Sequence, residues 1–168
     1  MARRALAFDM EVLAIRRDAG RPDPNRLASV RGPEALDDVL ARADFLALTL
    51  ALAPDTRGLI DARALARMKP TAVLINVARG DVVDEDALYA ALAGGAALDV
   101  WYRYPQGAGP TPPSRRPFHT LPNVLMTPHV SGWTEGMMDA RAAVIAENIH
   151  RVARGEASVN VVVRAACA

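Results

Sequence analysis

The sequence predicts an α/β fold built on a doubly wound, mostly parallel sheet, and three observations carry that prediction. Short, continuous apolar runs recur along the 168 residues. Stretches with apolar residues at helical spacing separate them. Aspartates or prolines mark where most of those helices begin. Strands apolar on both faces belong to a sheet covered by helices on each side, which is the parallel arrangement.

Taken in chain order, Arg3 to Asp9 reads as the last turns of a helix, with Ala5, Leu6 and Phe8 apolar. It runs into a strand at Glu11-Val12-Leu13-Ala14-Ile15 that stops at Arg16-Arg17-Asp18. Gly20 to Asn25 holds two prolines and a glycine and reads as a loop. Pro33 opens a helix to about Ala43, with Leu36, Val39 and Leu40 on one face. Phe45 to Leu50 is a strand, too short for a helix and bounded by Asp44 and Pro54. Asp61 caps a helix containing Leu65 and Met68, which Pro70 ends. Ala72 to Asn76 forms the next strand. Asp84 caps a helix with Leu88 and Leu92 inward, and Gly94-Gly95 end it. Ala96 to Val100 and Val124-Leu125-Met126 complete the strands. Thr134 caps a long helix to about Arg154, where Gly155 breaks it. Pro105 to Pro117, with five prolines and two glycines, is a long loop.

Composition narrows the function classes. With 20 basic and 19 acidic residues the net charge is +1, so no polyanion-binding field forms and nucleic acid is not the expected partner. Cys167 is the single cysteine, a lone thiol that can build neither a disulfide framework nor zinc-finger spacing, and no metal is expected. Asp9 and Glu11 interrupt the basic N-terminal stretch before any signal-peptide core can form. No run approaches the ~18 apolar residues of a membrane span. The expected setting is the cytoplasm, away from membranes.

Parallel sheets of this kind bind ligands beyond the carboxyl ends of their strands. That rule selects Arg16, Arg17, Leu50 to Thr56, Val77 to Gly80, Asp99 to Pro105 and His129 to Gly132. Arg79 offers a fork of donors suited to a carboxylate, or it solvates a loop. His129 is matched to proton transfer near neutral pH, or it is structural, with Pro128 fixing the turn. His119 and His150 read as solvated side chains. In a dinucleotide-binding sheet the place of Arg16-Arg17 meets the adenosine ribose, where arginine accommodates a 2′-phosphate and an acid would accept from the hydroxyl. Two exposed arginines are the alternative.

Five strings, in this order, resemble the cofactor-binding domain of the D-isomer-specific 2-hydroxyacid dehydrogenases. They are Gly58-Leu59-Ile60, Met68-Lys69-Pro70, Leu74 to Gly80 (Leu-Ile-Asn-Val-Ala-Arg-Gly), Ala97 to Val100, and Leu121 to His129. The resemblance runs from about residue 1 to residue 163. It implies a Rossmann-type dinucleotide-binding domain over residues 1–155, followed by a C-terminal tail over 156–168. It also implies hydride exchange between a nicotinamide cofactor and a small 2-oxo or D-2-hydroxy acid. Arg79 then matches the residue that holds the substrate carboxylate and oxo oxygen, and His129 the general acid/base. Asp99 matches the acid near the nicotinamide carboxamide. Leu50, Ala51, Thr56, Val77, Ala78 and Gly132 match cofactor-lining positions. Arg16, where NAD-dependent members have aspartate, favours NADP(H) over NAD(H), and relatives pair as homodimers.

Four departures qualify the match. The glycine-rich GxGxxG turn that binds pyrophosphate is absent, so the domain reads as incomplete. The separate substrate domain is missing. Tyr104 stands where most relatives have the glutamate that supports the histidine. The join at Ala91 to Ala96 is about four residues short, one helical turn, so the helix is expected to end early. A second reading follows: a non-catalytic remnant that serves as a dimerisation or interaction module, with Val159 to Val163 as an apolar tail.

Overall fold

The computed structural model describes residues 1–20, 29–92 and 94–161. The reading of Cys167, the body of the loop from Gly20 to Asn25, and the end of the apolar tail lie outside them. The chain falls into two compact units, Met1–Ser131 and Gly132–Ala168.

The first unit alternates strand and helix. Helix α1 (Ala2–Leu6) leads to β1 (Leu13–Ile15), then β2 (Ser29–Arg31), α2 (Leu36–Arg42), β3 (Phe45–Leu48), α3 (Ala62–Arg67), β4 (Val73–Asn76), α4 (Glu85–Ala91), β5 (Ala96–Leu98) and β6 (Val124–Met126). Every strand pair is parallel. They form two sheets, β1-β2 and β3-β4-β5-β6. The second of these is in register through Leu48, Asn76, Leu98 and Met126, which end the four strands on one line.

Local sequence explains most of the boundaries. Asp61 accepts from the Ala64 N–H at 2.8 Å and Asp84 from the Ala87 N–H at 2.8 Å, the capping predicted for both. Pro33 opens a separate 3-10 turn, Pro33–Ala35, rather than the α-helix itself, which starts at Leu36. The strands are shorter than the apolar runs: Leu50 and Val100 lie beyond β3 and β5, because the chain turns away once the ladder ends. β2 was not expected, since Ser29-Val30-Arg31 holds no apolar run. Helix α4 ends at Ala91, and Ala93 in the join that follows lies outside the described residues.

The core lies in the four-stranded half. Leu40, Leu46, Leu48, Leu74, Leu88, Leu98 and Phe118 are buried there, with Tyr89 edge-on to Phe118 at 5.4 Å between ring centroids. Phe118 follows the proline-rich loop and pins it. Glu85, buried on α4, holds the same loop: its Oε1 accepts from Ser114 Oγ and the Arg115 N–H, both at 2.5 Å, and its Oε2 from Arg115 Nε at 2.8 Å. Burial pushes the Glu85 carboxyl up, but the Ser114 and Arg115 donors outweigh it and hold the pKa below the usual range.

The second unit is dominated by α5 (Met137–Ala153). Thr134 does not cap it with its side chain; the N-cap is Gly136 in the left-handed region (φ 75°), and Thr134 contributes only its carbonyl to the Met137 N–H. Asn148 closes the far end by exchanging two hydrogen bonds with the Val159 backbone, at 2.8 and 3.3 Å. Met138, Ile145, Ile149 and Val152 are exposed along this helix.

Candidate active site

The common line at which β3 to β6 end sets the site, because each strand continues into a loop carrying one of the expected residues. After β4 the buried Asn76 ties its own turn. Its Oδ1 accepts from the Ala78 N–H and its Nδ2 donates to the Arg79 carbonyl, both at 3.0 Å. This holds Val77 and Ala78 against the edge and presents Arg79 outward. The Arg79 guanidinium donates to the Ala78 carbonyl at 2.6 Å and forms no ion pair among the described residues. Arg79 is exposed.

Gly80 is the one position here that no other residue can fill. A Cβ there would lie 2.4 Å from the Trp101 carbonyl oxygen, so the loops after β4 and β5 meet backbone to backbone. Trp101 carries the contact onward. Its indole N–H donates to the Thr127 carbonyl at 2.9 Å, and its backbone N–H donates to the Tyr104 hydroxyl at 3.2 Å. The Tyr104 hydroxyl in turn lies 3.1 Å from His129 Nδ1. Arg79 and His129 thus belong to loops from β4 and β6, with β5 between them. Two strand spacings separate those strands, roughly 10 Å, and a continuous set of contacts links the loops.

His129 itself is held in a left-handed conformation, φ 58°, which a β-carbon makes costly without support. Asp99 supplies it. Its buried carboxylate accepts from Thr127 Oγ1 at 2.6 Å, the Val130 N–H at 2.9 Å and the Ser131 N–H at 3.0 Å, clamping the residues on either side of His129. Burial alone would raise the Asp99 pKa, but the donors from Ser131, Thr127 and Val130 prevail and hold it at about 2. It is ionised at any physiological pH.

The other expected residues line the same edge or the β1 end. Leu50 and Ala51 follow β3, and Thr56 closes their loop by donating to the Ala51 carbonyl at 2.8 Å and accepting from the Ala53 N–H at 2.7 Å. Arg16 follows β1. Its guanidinium donates to the Ala19 carbonyl at 3.3 Å, and its Nε is buried with no hydrogen-bond partner among the described residues. Arg17 pairs with Asp55 at 2.7 Å, both well exposed. Gly132 opens the second unit. His119 sits in a short 3-10 turn beside the buried Phe118, and His150 on α5. Among the described residues no cluster of three potential ligands could hold a metal ion.

Comparison with known proteins gives this arrangement its place. Residues 1–131 match the sequence profile described as the D-isomer specific 2-hydroxyacid dehydrogenase, NAD binding domain. The chain belongs to that family. It is 38% identical over 169 aligned residues to the D-3-phosphoglycerate dehydrogenase of Methanocaldococcus jannaschii, spanning 96% of this chain and 30% of that protein. It is 36% identical over 160 residues to the glyoxylate reductase of Pyrococcus furiosus, spanning 93% of this chain and 45% of that one. Among solved structures, the NADPH-dependent glyoxylate/hydroxypyruvate reductase of Sinorhizobium meliloti, in complex with NADP and sulfate, superimposes with a TM-score of 0.76 at 30% identity, covering 96% of this chain and 50% of that one. The family member from Xanthobacter autotrophicus in complex with NADPH and MES does so with a TM-score of 0.71 at 37% identity, covering 89% and 60%. This dehydrogenase-family chain therefore spans between 30% and 60% of the lengths of these four relatives.

The residues present fit a dinucleotide at its two ends. Arg16, whose buried Nε has no partner among the described residues, suits the adenosine end, and the loops after β3 to β6 suit the nicotinamide end. The sequence holds no GxGxxG turn for the pyrophosphate between them. No helix among the described residues is long and apolar enough to cross a membrane.

Proposed function

We propose that this chain is the cofactor-binding part of an NAD(P)-dependent oxidoreductase that interconverts a small 2-oxo acid and its D-2-hydroxy acid. One observation carries the reading: an arginine with no carboxylate partner among the described residues and a hydrogen-bonded histidine follow β4 and β6, at the same end of one sheet with β5 between them. The nicotinamide cofactor, when bound, supplies the hydride. Arg79 holds the substrate carboxylate and faces the oxo oxygen on which negative charge develops. His129 delivers a proton to that oxygen from Nε2, since Nδ1 is engaged by Tyr104. The Tyr104 hydroxyl, already accepting from Trp101, can donate to Nδ1 or accept from it, so it steers the ring in either protonation state. Asp99 acts one step behind, fixing the backbone that aims the imidazole.

Arg16 supports a preference for NADP(H), with Arg17 joining it after release from Asp55. The partners would be a small 2-oxo or 2-hydroxy acid and a second copy of the chain, in the cytoplasm, with residues 1–155 acting as the cofactor-binding body. Binding is tested by the fluorescence of NADPH on titration with protein, and turnover by NADPH oxidation on adding glyoxylate or hydroxypyruvate. Arg79→Ala should lower turnover by a factor on the order of 10² to 10³; unchanged turnover would reduce Arg79 to a solvated loop residue. A second reading, a dimerisation module without catalysis, draws on the exposed apolar residues of α5. Absence of dinucleotide binding together with a stable dimer would favour it.

A further inference from the structure

Tyr104 reaches His129 on a long arm that its own surroundings do little to hold. The residue is 43% exposed, and among the described residues its hydroxyl meets only the Trp101 N–H and His129 Nδ1. The place of the phenol is therefore decided by the backbone from Trp101 to Tyr104, which has already left the β5 ladder. What fixes that backbone is the far end of the proline-rich loop. The Pro113 carbonyl accepts from the Tyr102 N–H at 3.2 Å and from the Arg103 N–H at 3.0 Å. The Tyr102 ring also stacks on the buried Phe118, with 6.5 Å between centroids and 14° between planes.

Pro113 is fixed in turn by the residues that follow it. Ser114 and Arg115 are both bound by Glu85, whose carboxylate takes their three hydrogen bonds at 2.5, 2.5 and 2.8 Å. Ser114 Oγ also accepts from the Arg116 N–H at 3.0 Å, so the segment closes around one carboxylate. Glu85 is the first residue of α4 and is buried, with Leu88 of the same helix in the core. Hydrogen bonds to an ionised acceptor are about twice as strong as neutral ones. The exposed pair of Arg116 with Asp86 on the same loop is a weak substitute. A relay thus runs from Glu85 through Ser114 and Arg115 to Pro113, then through Tyr102 and Arg103 to Tyr104 and His129.

We propose that Glu85 is a positioning residue for His129: through the segment from Pro113 to Arg115 it sets the place of the Tyr104 hydroxyl, and with it the aim of the imidazole. The catalytic consequence rests on the role of His129 proposed above; the structural one rests on the hydrogen bonds alone. The arrangement has a physical reason. A carboxylate beside the ring attracts an imidazolium from a range of positions, because charge acts over distance. A neutral phenol holds Nδ1 only through a directed hydrogen bond, which weakens steeply as it leaves the line. Such a partner needs a carrier that is itself held in place, and the carboxylate that does so here stands on a core helix.

The test is a double-mutant cycle on the whole chain: the parent, Glu85→Gln, Tyr104→Phe and the double variant. Glu85→Gln keeps the shape but sets its amide N–H against the Arg115 Nε–H or the Arg115 backbone N–H, donor against donor. The ring nitrogens of isotope-labelled His129 are read by NMR without substrate, and NADPH oxidation by glyoxylate is read separately. The His129 signals of Glu85→Gln should move towards those of Tyr104→Phe, and the double variant should match Tyr104→Phe. In turnover, kcat should fall by about tenfold or more with KM little changed, and no further in the double variant than in Tyr104→Phe. Where Glu85→Gln does not fold, Ser114→Ala takes its place in the cycle with the same outcomes. Unmoved His129 signals would overturn the proposal. So would a change that persists in full once Tyr104 is replaced, the mark of a general loosening. A parent without turnover would count against the proposed chemistry, while the ring signals still decide the positioning.

Discussion

The two halves of the sheet are built from the same kinds of strand and differ in what supports them. β3 to β6 enclose Leu40, Leu74, Leu98 and Phe118 in a continuous core, and their loops are cross-tied by Asn76, Asp99 and Trp101. β1 and β2 contribute no buried residue and are connected outward mainly by exposed ion pairs, which are worth little individually. The candidate catalytic residues stand on the supported half and the candidate cofactor-selecting arginines on the other. Groups that must be held to a fraction of an ångström need a rigid backing, whereas contacts to a ribose phosphate tolerate a looser one.

The largest expected contrast is in core truncation. Leu74→Ala should cost about 2 to 5 kcal/mol in denaturant unfolding, as for other fully buried leucines, whereas Leu13→Ala should cost less than about 1.5 kcal/mol. Equal losses would erase the distinction between the halves.

A smaller effect sharpens it on the supported side. Asp99 is held at about 2 in the folded chain against 3.8 when free, so its contribution is complete above the free value and is lost as pH falls through the folded one. The difference corresponds to about 2 kcal/mol, released between about pH 4 and pH 2. Glu85 titrates in the same direction. Asp99→Asn should be less stable at neutral pH and lose less on acidification; a parallel acid curve for the variant would assign the loss to other carboxylates.

The strong local signals in the sequence were enough to place the supported half. Asp61 and Asp84 capped as read because a short acid before a helix satisfies its first free N–H groups wherever the helix lies. The ends of β3 and β5 were overrun, because apolar residues continue past the ladder into the loops that line the site. β2 gave no signal, since its hydrogen bonds come from β1 and not from its own side chains. At the site, Arg79, Tyr104 and His129 were legible as residue types after strands. The clamp from Asp99 to Val130 and Ser131, and that from Glu85 to Ser114 and Arg115, were not, because each joins residues about thirty apart that only folding brings together.

The smallest predicted effect lies on the less supported side. Arg16→Asp should shift the ratio of NADPH to NADH affinity towards NADH by roughly tenfold, about 1.4 kcal/mol, without changing the melting temperature. An unaltered ratio would remove Arg16 from cofactor selection.

The central claim is that Arg79 and His129 serve a single ligand from the loops after β4 and β6, on either side of β5. It is tested most directly by NMR titration of the NADPH-loaded chain with oxamate, an unreactive 2-oxo acid analogue, following the Arg79 Nε–H and the His129 ring. The account predicts that both signals move together with one dissociation constant. Movement of one without the other, or separate midpoints for the two, would contradict it.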